Sequence, residues 1–461
     1  MAFPATAFAL LLSSGPLLGQ TLSQPAATTG ITDTSQKPPR LLQGPMVGFV
    51  SDREARIWVR VNGNHKVQVR YRAVKSEKNG GGLAPRAVSA LPENDYTAVI
   101  ALSGLDPDTA YRYELLINGK EAVGGKSRPA RVFRTLPQSR KPGKFRVAFG
   151  SCASVDVDPV QRIWWAVSSA RPHAFLWLGD NIYGDSGNLS VLRRKYRRQR
   201  GVKNLLDFQA SVPQLAIWDD HDFGLNDGDR RFSGKGNSLR VFREYWANPG
   251  YGLPGTPGVF FRWSIGDVDF FLLDTRTHRD PNRTLDGPDK THLGTRQKEW
   301  LKAELRRSRA VFKVLVASGA WTEGKGGLGD SWGAFLNERD EVFRYIRDHG
   351  ITGVFLLAGD SHLPRINVIP WSDFGGYDLY EVISSPLAQG VYRGRFLPGG
   401  FRPVRPPNAF SKNFGLLEFD TMAEPARVTL RLIGEKGGDL LKPVILTTDD
   451  LKPGVRSWDR K

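Results

Sequence analysis

The sequence predicts an α/β domain preceded by a small all-β domain. A chain of 461 residues is too long for one small core, so two domains are expected, one of them large. Residues 41–136 alternate polar and apolar side chains with a period of two, which is typical of half-buried β-strands. Residues 145–455 instead alternate short apolar strands with helical patterns, which favours helices covering a sheet.

The chain begins with an apolar run, "MAFPATAFALLLSSGPLLGQ", that has the length of a signal peptide. This run lacks a charged start, since the first basic residue is Lys37, and Pro16 interrupts it, so a transmembrane helix is not expected. We interpret residues 1–20 as an export signal and residues 21–40 as a disordered spacer. The protein is therefore expected to be periplasmic or secreted, without a transmembrane segment. We also expect it to be a monomer.

The composition is that of a soluble globular protein, with 40% hydrophobic and 24% charged residues. The formal charge of +18 makes the surface attractive to anions such as phosphate esters, nucleic acid, acidic polymers or anionic lipid. Solubility alone is an equally good reason for such a charge, so net charge selects no partner. The chain contains one cysteine, Cys152, which excludes an intramolecular disulfide.

The segment 41–136 is expected to form a β-sandwich. The alternation is clearest in "EARIWVRV" (54–61) and "HKVQVRYRAV" (65–74). A later stretch has the spacing of the fibronectin type III and immunoglobulin-like pattern, in which a tyrosine packs at a corner of the sandwich. The matching positions are Leu105, Pro107, Thr109 and Tyr111. No catalytic set of residues is evident in this segment, so we expect a packing or lid module.

A basic linker, "PQSRKPGK" (137–144), precedes the α/β pattern. The expected strands are "FRVAFG" (145–150), "AFLWLG" (174–179), "QLAIWD" (214–219), "VDFFLLD" (268–274), "FKVLVASG" (312–319) and "GVFLLAG" (353–359). Helical periodicity is clearest in "TRQKEWLKAELRRS" (295–308) and "LNERDEVFRYIRDHG" (336–350). In the first helix, one face is expected to carry Gln297, Trp300, Leu301 and Leu305.

Side chains that can bind metals follow four of these strands. The strand ends read "GSC" (150–152), "GDNIYGD" (179–185), "DDHD" (219–222) and "GDSH" (359–362). In open α/β sheets, ligands bind beyond the carboxyl ends of the strands. A single Gly-Asp turn is a weak signal, because Asp is common in turns, but the four strand ends together predict one ligand site.

The chemistry of this set favours cations. Carboxylate, imidazole, thiolate and phenolate groups suit divalent or trivalent ions, and clustered acids would repel one another without a cation. Asp180 is central, so its carboxylate could bridge two ions, and two metals about 4 Å apart can assist an in-line displacement at phosphorus. Only His221 and His362, of seven histidines, lie in the set. A histidine-rich zinc site is therefore not expected, and oxygen ligands with one thiolate favour iron or calcium-type ions.

The set "GSC", "LGDNIYGD", "WDDHD" and "GDSH" resembles the PhoD-like alkaline phosphatases, within the calcineurin-like metallophosphatase group. Further segments occur in family order: "LLDTRTHR" (272–279), "LGTRQKEWL" (293–301), "DSWGAFLNERDEVFRYI" (330–346) and "YEVISSPL" (380–387). The resemblance extends over about residues 40–450. It implies a two-sheet sandwich flanked by helices, with the site at one end, that hydrolyses phosphate monoesters or diesters using Fe³⁺ and Ca²⁺.

The resemblance also implies roles for individual residues. Cys152, Asp180 and Tyr183 would hold the iron, with Asp180 as the bridge, and Tyr183 matches the phenol of the "GDxxY" motif shared with purple acid phosphatases. The further metal ligands implied are Asp220, Asp360 and His362.

Five more residues have implied roles, and for two of them an alternative stays open. His221 would donate a proton to the leaving oxygen, or alternatively would orient a ligand. Arg276 would bind phosphate through its bidentate fork, or alternatively would form a surface ion pair. The candidate outer ligands for calcium are Asp185, Asp219 and Asn226.

Three features need a separate interpretation. The wider group has a further histidine motif that would fall near "VASGAWTEG" (316–324), where this chain has no histidine, so the ligands of the second metal stay open. "RRKYRRQR" (193–200) is interpreted as a solvated helical face, with nucleic acid or acidic polymer binding as the alternative. "EGKGGLGD" (323–330) lacks the spacing of a phosphate-binding loop and is interpreted as a mobile loop near the site.

The expected function is that of a metal-dependent phosphoesterase, in which a metal-bound hydroxide or oxo bridge attacks phosphorus. The expected substrate is a phosphate ester, either a small molecule or a polymer. One alternative is a phospholipase-type diesterase acting on lipid or polymer phosphates. Another is a non-catalytic surface binding protein, against which the complete set of ligands argues, since an inert relic should have lost some of them.

Overall fold

The computed structural model describes residues 38–75, 82–84, 86–122, 131–322, 329–393, 402–405 and 410–460. The predicted export signal (1–20), nearly all of the predicted spacer (21–40) and most of the loop 323–330 lie outside the described residues. Among the described residues, no helix combines the length and the hydropathy needed to cross a bilayer.

The N-terminal β region consists of short antiparallel strands. In chain order they are β1 (Leu41–Val50), β2 (Glu54–Val61), β3 (His65–Ala73), β4 (Gly82–Leu83), β5 (Val88–Ala90), β6 (Thr97–Ser103), β7 (Ala110–Ile117), β8 (Lys120–Glu121) and β9 (Val132–Arg134). One sheet has the order β1-β2-β6, and a second has the order β4-β3-β7-β8, with β5 added beside β3 and β9 beside β7. A short 3₁₀ helix, Pro92–Asn94, precedes β6.

The corner of this sandwich forms at Tyr111, as the spacing predicts. The buried Tyr111 side chain accepts a hydrogen bond at its hydroxyl from the backbone N–H of Asp106, at 2.8 Å. This contact to a backbone group a few residues upstream is the tyrosine corner of immunoglobulin-like sandwiches. The predicted packing role of Tyr111 is confirmed.

The α/β region begins at Lys144. Its strands are β10 (Lys144–Gly150), β11 (Ala174–Leu178), β12 (Gln214–Ile217), β13 (Gly252–Leu253), β14 (Thr256–Pro257), β15 (Phe261–Ile265), β16 (Val268–Leu272), β17 (Phe312–Val316), β18 (Val354–Ala358), β19 (Arg365–Ile369), β20 (Leu379–Ile383), β21 (Arg402–Arg405), β22 (Asn413–Asp420), β23 (Arg427–Gly434) and β24 (Val444–Thr447). Its helices are α1 (Ile163–Ser169), α2 (Leu189–Gln199), α3 (Lys203–Gln209), α4 (Asp220–Phe223), α5 (Lys235–Tyr245), α6 (Thr295–Arg307) and α7 (Leu336–Asp348). Further 3₁₀ helices are Trp332–Ala334, Trp371–Phe374 and Trp458–Arg460.

Two large mixed sheets form the core of this region. One has the order β12-β11-β10-β22-β23-β24, and the other has the order β15-β16-β17-β18-β20-β19-β21. In the first sheet β10, β11 and β12 are mutually parallel, and in the second β16, β17, β18 and β20 are parallel. Apart from the start of β10, the parallel strands are fully buried and mostly apolar, as in "AFLWL" of β11, because both faces of such sheets are covered.

Helix α6 shows why the helical pattern could be read from the sequence. Gln297, Leu301 and Leu305 are buried on one face, and the partly buried Trp300 packs on Phe260 at 5.0 Å between ring centroids. The predicted face is therefore confirmed. Gln297 is polar yet buried because its amide bonds both the N–H and the carbonyl of Asp274, which follows β16.

The basic run 193–200 forms most of α2, and the prediction of a solvated face holds only in part. Arg194 and Arg198 are exposed, whereas Arg193 pairs with Glu244 at 2.6 Å and Arg197 pairs with Asp95 of the N-terminal β region. Arg200 is buried with its guanidinium 3.9 Å from the ring centroid of Trp246. Acidic partners thus balance part of this positive charge, and the alternative of nucleic acid or acidic polymer binding stays a prediction.

Asp95 joins the N-terminal β region to the α/β region. Its carboxylate is bonded by Arg60 of the same region and by Arg197 and Tyr245 of the α/β region. Trp58 adds a second contact by donating its indole N–H to the carbonyl of Glu244 at 2.7 Å. Residues Pro39–Lys461 belong to one compact unit, so the predicted domain division at 137–144 stays a prediction.

Candidate metal centre

The carboxyl ends of strands from both sheets meet at one place. Cys152 follows β10, Asp180 follows β11, Asp219 and Asp220 follow β12, and Asp360 follows β18. Contacts across the two sheets hold these ends together. The Ser151 hydroxyl accepts from the N–H of Asp360 at 3.0 Å, and Ser318, after β17, donates to Asp219 at 2.8 Å.

Two groups of possible metal ligands form there. In the first group, ligand atoms of Cys152, Asp180 and His362 all lie within 4.8 Å of one another, and in the second those of Asp180, Asp220 and His221 do so. Asp180 belongs to both groups, which is the arrangement expected of a bridging carboxylate. The sequence prediction thus identified residues that the fold does bring together, although their identity as ligands stays a prediction.

Buried oxygen atoms without partners support a cation at this place. Among the described residues, Oδ1 of Asp180, Oδ2 of Asp219 and the hydroxyl of Tyr183 have no hydrogen-bond partner. Buried polar atoms are normally satisfied, and each orphan costs free energy comparable to a lost hydrogen bond. A cation beside these oxygens would remove that cost.

The electrostatics of the site lead to the same conclusion. Burial raises the pKa of Cys152, Asp180 and Tyr183 well above their usual values, and the neighbouring acidic groups raise each pKa further. Without a cation these groups would hold their protons and stay neutral. A bound cation favours the charged forms, and thiolate, carboxylate and phenolate are the forms that bind metals. The donor set therefore fits a metal.

The backbone of the site is held in a conformation that side chains disfavour. The φ angle is 62° at Cys152, 49° at Asp180, 48° at Asp185, 55° at Asp360 and 53° at His362, all in the left-handed region. Non-glycine residues in this region cost of order 1 kcal/mol or more each and cluster at functional sites. The conformation recurs at several predicted site residues but also at residues elsewhere, such as Asp95 and Asn118, so it supports a site here only together with the ligand groups.

Close backbone packing explains the glycine before Asp180. Gly179 has a φ of 100°, and a Cβ atom placed there would lie 2.5 Å from Cβ of Asp219. A side chain at this position would separate the ends of β11 and β12. Glycine therefore allows Asp180 and Asp219 to approach each other.

Asp360 and His362 differ in position. His362 lies in the group of Cys152 and Asp180, as predicted. The backbone carbonyl of Asp360, 3.9 Å from the sulfur of Cys152, faces that group, and among the described residues neither group includes the Asp360 carboxylate. The ligand role of Asp360 stays a prediction.

The three candidate calcium ligands lie in different surroundings, one buried and two not. Asp219 is buried next to Asp220, whereas Asp185 is engaged by His221. Asn226 is exposed in the loop after α4, and the backbone N–H of the next residue, Asp227, donates to Asp220 at 2.8 Å. The structure thus brings only Asp219 of these three into the buried acidic cluster.

Arg276 is fully buried, so the alternative of a surface ion pair is wrong. Its Nε donates to Asp219 at 2.5 Å, and its two terminal nitrogens donate to Asp330. Burial raises the pKa of the carboxyl groups of Asp219 and Asp330, whereas the nearby Arg276 lowers both, and the balance of the two effects differs between them. The pKa of Asp219 is raised to about 6, while Arg276 and Arg279 hold the pKa of Asp330 well below its usual range.

This arrangement bears on the predicted phosphate-binding role of Arg276. Its bidentate fork is occupied by Asp330, so the role receives no support from these contacts and stays a prediction. Asp219, Asp220 and Asp330 also form a possible ligand group, but Arg276 and Arg279 already offset two of its three negative charges. The groups that share Asp180 are therefore the stronger candidates for a metal.

Asp222 is a supporting residue whose role was missed in the sequence. Its carboxylate accepts from the backbone N–H groups of Asn181 and Ile182, at 3.1 and 3.2 Å, and from that of Asp219 at 3.2 Å. It therefore fixes the loop that carries Asp180. Burial raises the pKa of Asp222 to about 7, although these donors oppose the rise. Its place in the "DDHD" string was the only available signal.

Ser151 and Ser385 were also missed, and both contact the thiol. The hydroxyl of Ser385 donates to the sulfur of Cys152 at 3.2 Å, and that of Ser151 lies 3.1 Å from the same atom. Ser385 follows β20, far from Cys152 in sequence, so no local pattern could indicate it. These hydroxyls orient the sulfur towards Asp180, whose Oδ2 lies 3.5 Å away.

A two-sheet α/β sandwich with metal-type side chains at its strand ends defines the metallophosphatase class. The PhoD-like phosphatase family matches residues 147–397, more than half of the chain, so the chain belongs to this family. Residues 38–135 match a domain of unknown function, DUF7800. The recognition made from the strand-end motifs is confirmed.

Individual relatives agree with this assignment. The chain is 25% identical over 350 residues to alkaline phosphatase D of Bacillus subtilis (strain 168), a match that covers 64% of this chain. The chain spans 58% of the length of that relative.

Two solved structures share the fold. A structure of PhoD, 17% identical, covers 90% of this chain and 94% of its own with a TM-score of 0.71. The purple acid phosphatase PPD1 of yellow lupin (Lupinus luteus), 12% identical, covers 89% of this chain and 74% of its own with a TM-score of 0.63. The predicted two-sheet fold with an N-terminal β region is confirmed.

Proposed function

We propose that this protein is a metal-dependent phosphoesterase that hydrolyses phosphate monoesters or diesters. The observation that carries the proposal is the pair of ligand groups that share Asp180, within which the buried Oδ1 of Asp180 has no partner among the described residues. Membership of the PhoD-like phosphatase family supports the same activity. The bound metals would supply Lewis acidity that neutralises charge on the phosphoryl group.

The proposed metals are Fe³⁺ and Ca²⁺. Cys152, Asp180, Tyr183 and His362 offer a thiolate, a carboxylate, a phenolate and an imidazole, a mixed set whose hard oxygen donors suit Fe³⁺. On the other side of Asp180, Asp220 offers carboxylate oxygens, which suit calcium. Asp219 lies beside Asp220 and would add negative charge at this side.

His221 is proposed to protonate the leaving oxygen. Burial lowers the pKa of His221, but the carboxylates of Asp220 and Asp185 outweigh this effect and raise the pKa above its ordinary value. A raised pKa increases the fraction of the imidazole that is protonated at a given pH, and a general acid acts in its protonated form. Its ring lies 4.3 Å from that of Tyr183, between centroids, which places it at the edge of the proposed iron ligands.

The proposed location is periplasmic or secreted. It rests on the apolar run at residues 1–20, which has the length of a signal peptide. Fractionation of cells that express the full chain tests this point. The proposed location is contradicted if the protein is recovered only in the cytoplasm and with residues 1–20 still attached.

Metal analysis combined with two assays tests the function. The purified protein is expected to hydrolyse p-nitrophenyl phosphate or bis-p-nitrophenyl phosphate. The substitutions Cys152→Ala and Asp180→Asn should each remove metal and lower kcat at least about 100-fold. Asp207→Asn, on the exposed face of α3, is the matched control and should change neither quantity.

Two outcomes would contradict the proposal. Full activity and metal content in both variants would show that the ligand groups are not the catalytic site. A fully metallated protein without turnover of either substrate would favour the alternative of a binding protein.

A further inference from the structure

A surface cavity of about 610 Å³ lies at the start of α6, and its lining indicates an anionic ligand. Arg230, Arg231, Lys235 and Arg296 line it. Among the described residues that line the cavity there is no carboxylate. Clustered positive charge in a concave site raises the local concentration of anions.

The helix contributes donors to the same cavity. Helix α6 has 13 residues, and its N-cap, Gly294, has no side chain to accept hydrogen bonds from the first turn. The first N–H groups of a helix have no partner within the helix, and together they act as about half a positive charge. Thr295 and Arg296 of this turn line the cavity, so these donors are available to a ligand.

A hydroxyl on the wall of the cavity gives an independent indication of a ligand. Thr256 lines the cavity, is only 7% exposed as a residue, and makes no side-chain hydrogen bond with any described residue. Its hydroxyl is not among the fully buried unpaired atoms, so it stays accessible and can donate to an oxygen atom of a ligand in the cavity. Arg296 likewise forms no ion pair with a described residue, whereas Arg230 and Arg231 already pair with Asp280 and Asp229.

We propose that this cavity binds a phosphate-type oxyanion at a site separate from the metal-ligand groups. The first turn of α6, the guanidinium of Arg296 and the hydroxyl of Thr256 would donate to its oxygens, and Lys235 would add charge. None of the residues that line the cavity is a predicted metal ligand. The oxyanion is either free inorganic phosphate or a phosphoryl group of a longer anionic molecule.

Calorimetric titration of the intact, metallated protein with inorganic phosphate tests the proposal. Two classes of site are expected, one at the metal centre and one in the cavity. Arg296→Glu should weaken only the cavity class, by about tenfold or more, because it removes a guanidinium and adds a like charge. Arg306→Glu makes the same change at the other, exposed end of α6 and should leave both classes unchanged.

Two further variants separate this site from the proposed catalytic one. Asp180→Asn should abolish the class at the metal centre and keep the class that depends on Arg296. Thr256→Val, which keeps the shape of the side chain, should weaken only the cavity class. If phosphate binding is the same in Arg296→Glu and Thr256→Val as in the unmodified protein, the cavity is no phosphate site, whatever the activity of the enzyme.

The source of the phosphoryl group is distinguished by a second ligand. Titration with a short linear polyphosphate should give tighter, Arg296-dependent binding if the cavity holds part of a longer anionic molecule. Equal affinity for both ligands would identify free phosphate as the occupant. Polyphosphate binding that is insensitive to Arg296→Glu, together with the same result for inorganic phosphate, overturns the proposal.

Discussion

Nδ1 of His221 lies 2.5 Å from a carboxylate oxygen of Asp185, and this contact fixes the imidazole at the edge of the ligand groups. Asp185 belongs to the loop after β11, and His221 is the second residue of the short helix α4 after β12. The ends of β11 and β12 therefore hold the imidazole ring through its Nδ1 atom. Among the described residues, the other nitrogen, Nε2, makes no hydrogen bond and is available to a substrate.

Asp185→Asn tests whether this contact positions a general acid. The asparagine amide at position 185 is neutral, so it holds the imidazole ring less firmly and does not raise the pKa of His221. We expect kcat to fall at least about tenfold, a fraction of the roughly 10²–10⁴ that general acid catalysis contributes, with little change in KM. A general acid works in its protonated form, so the fall in rate as pH rises through the His221 pKa should move to lower pH.

Metal content separates this role from that of a ligand. It should be unchanged in Asp185→Asn, because the carboxylate is engaged by His221. Loss of metal would instead assign Asp185 to a metal, as the sequence interpretation had it. A pH profile that does not shift would show that His221 is not the acid.

Tyr183→Phe tests the identity of the metal. A phenolate bound to ferric iron gives a visible charge-transfer band, so the metallated protein should absorb visible light and the variant should not. The fold should survive, since the hydroxyl makes no hydrogen bond with the described residues. A colourless, active and fully metallated parent protein would point to another metal.

Arg276→Lys distinguishes a buried clamp from a phosphate ligand. Lysine keeps the charge but loses the fork that bonds Asp219 and Asp330 together, and breaking a buried ion pair costs about 3–5 kcal/mol. We expect a clear loss of thermal stability and weaker metal binding, measured by calorimetry and by metal titration. A variant with normal stability whose KM alone rises would support direct phosphate binding.

Asp95→Asn tests the junction between the N-terminal β region and the α/β region. Burial raises the pKa of Asp95, but its bonds to Arg197, Tyr245 and Arg60 outweigh this and lower the pKa below its ordinary value of 3.8. A carboxyl group with a lowered folded-state pKa stabilises above its unfolded pKa and loses this effect as pH falls through the folded value. The variant should be destabilised by about 1.5–3 kcal/mol near neutral pH.

The difference between parent and variant should shrink below about pH 4, as denaturant titrations at several pH values would show. Asp108→Asn is the control, because Asp108 pairs with Arg134 on the surface, where both side chains are more than half exposed. That pair should contribute less than about 1 kcal/mol. Equal effects of the two substitutions would argue against a structural role for the Asp95 junction.

The strands that carry the site could be predicted because their signals are local. β10, β11, β12 and β18 are short apolar runs followed at once by the predicted ligands, and α6 has a periodic apolar face. The four-residue helix α4 was not predicted, because it is too short for periodicity to reveal it. β1 was also not predicted, since its sequence, "LLQGPMVGFV", does not alternate.

The contacts that the sequence did not predict join residues that are far apart in the chain. Arg276 was interpreted as a phosphate ligand or a surface residue because its partner Asp330 is 54 positions away. The basic run 193–200 was interpreted as a solvated face because Asp95 and Glu244, which pair with Arg197 and Arg193, belong to other elements. Pairing of charges across elements follows from tertiary packing, which a local pattern of charges does not specify.

The left-handed backbone at Cys152, Asp180 and His362 has a consequence for protein engineering. Glycine adopts this conformation without strain, so replacing these residues by glycine would relieve the backbone while removing the ligands. A selection for thermostability alone would therefore tend to erode the metal site, and it would do so first at these positions. Selection for heat resistance in this protein therefore needs activity as a second criterion.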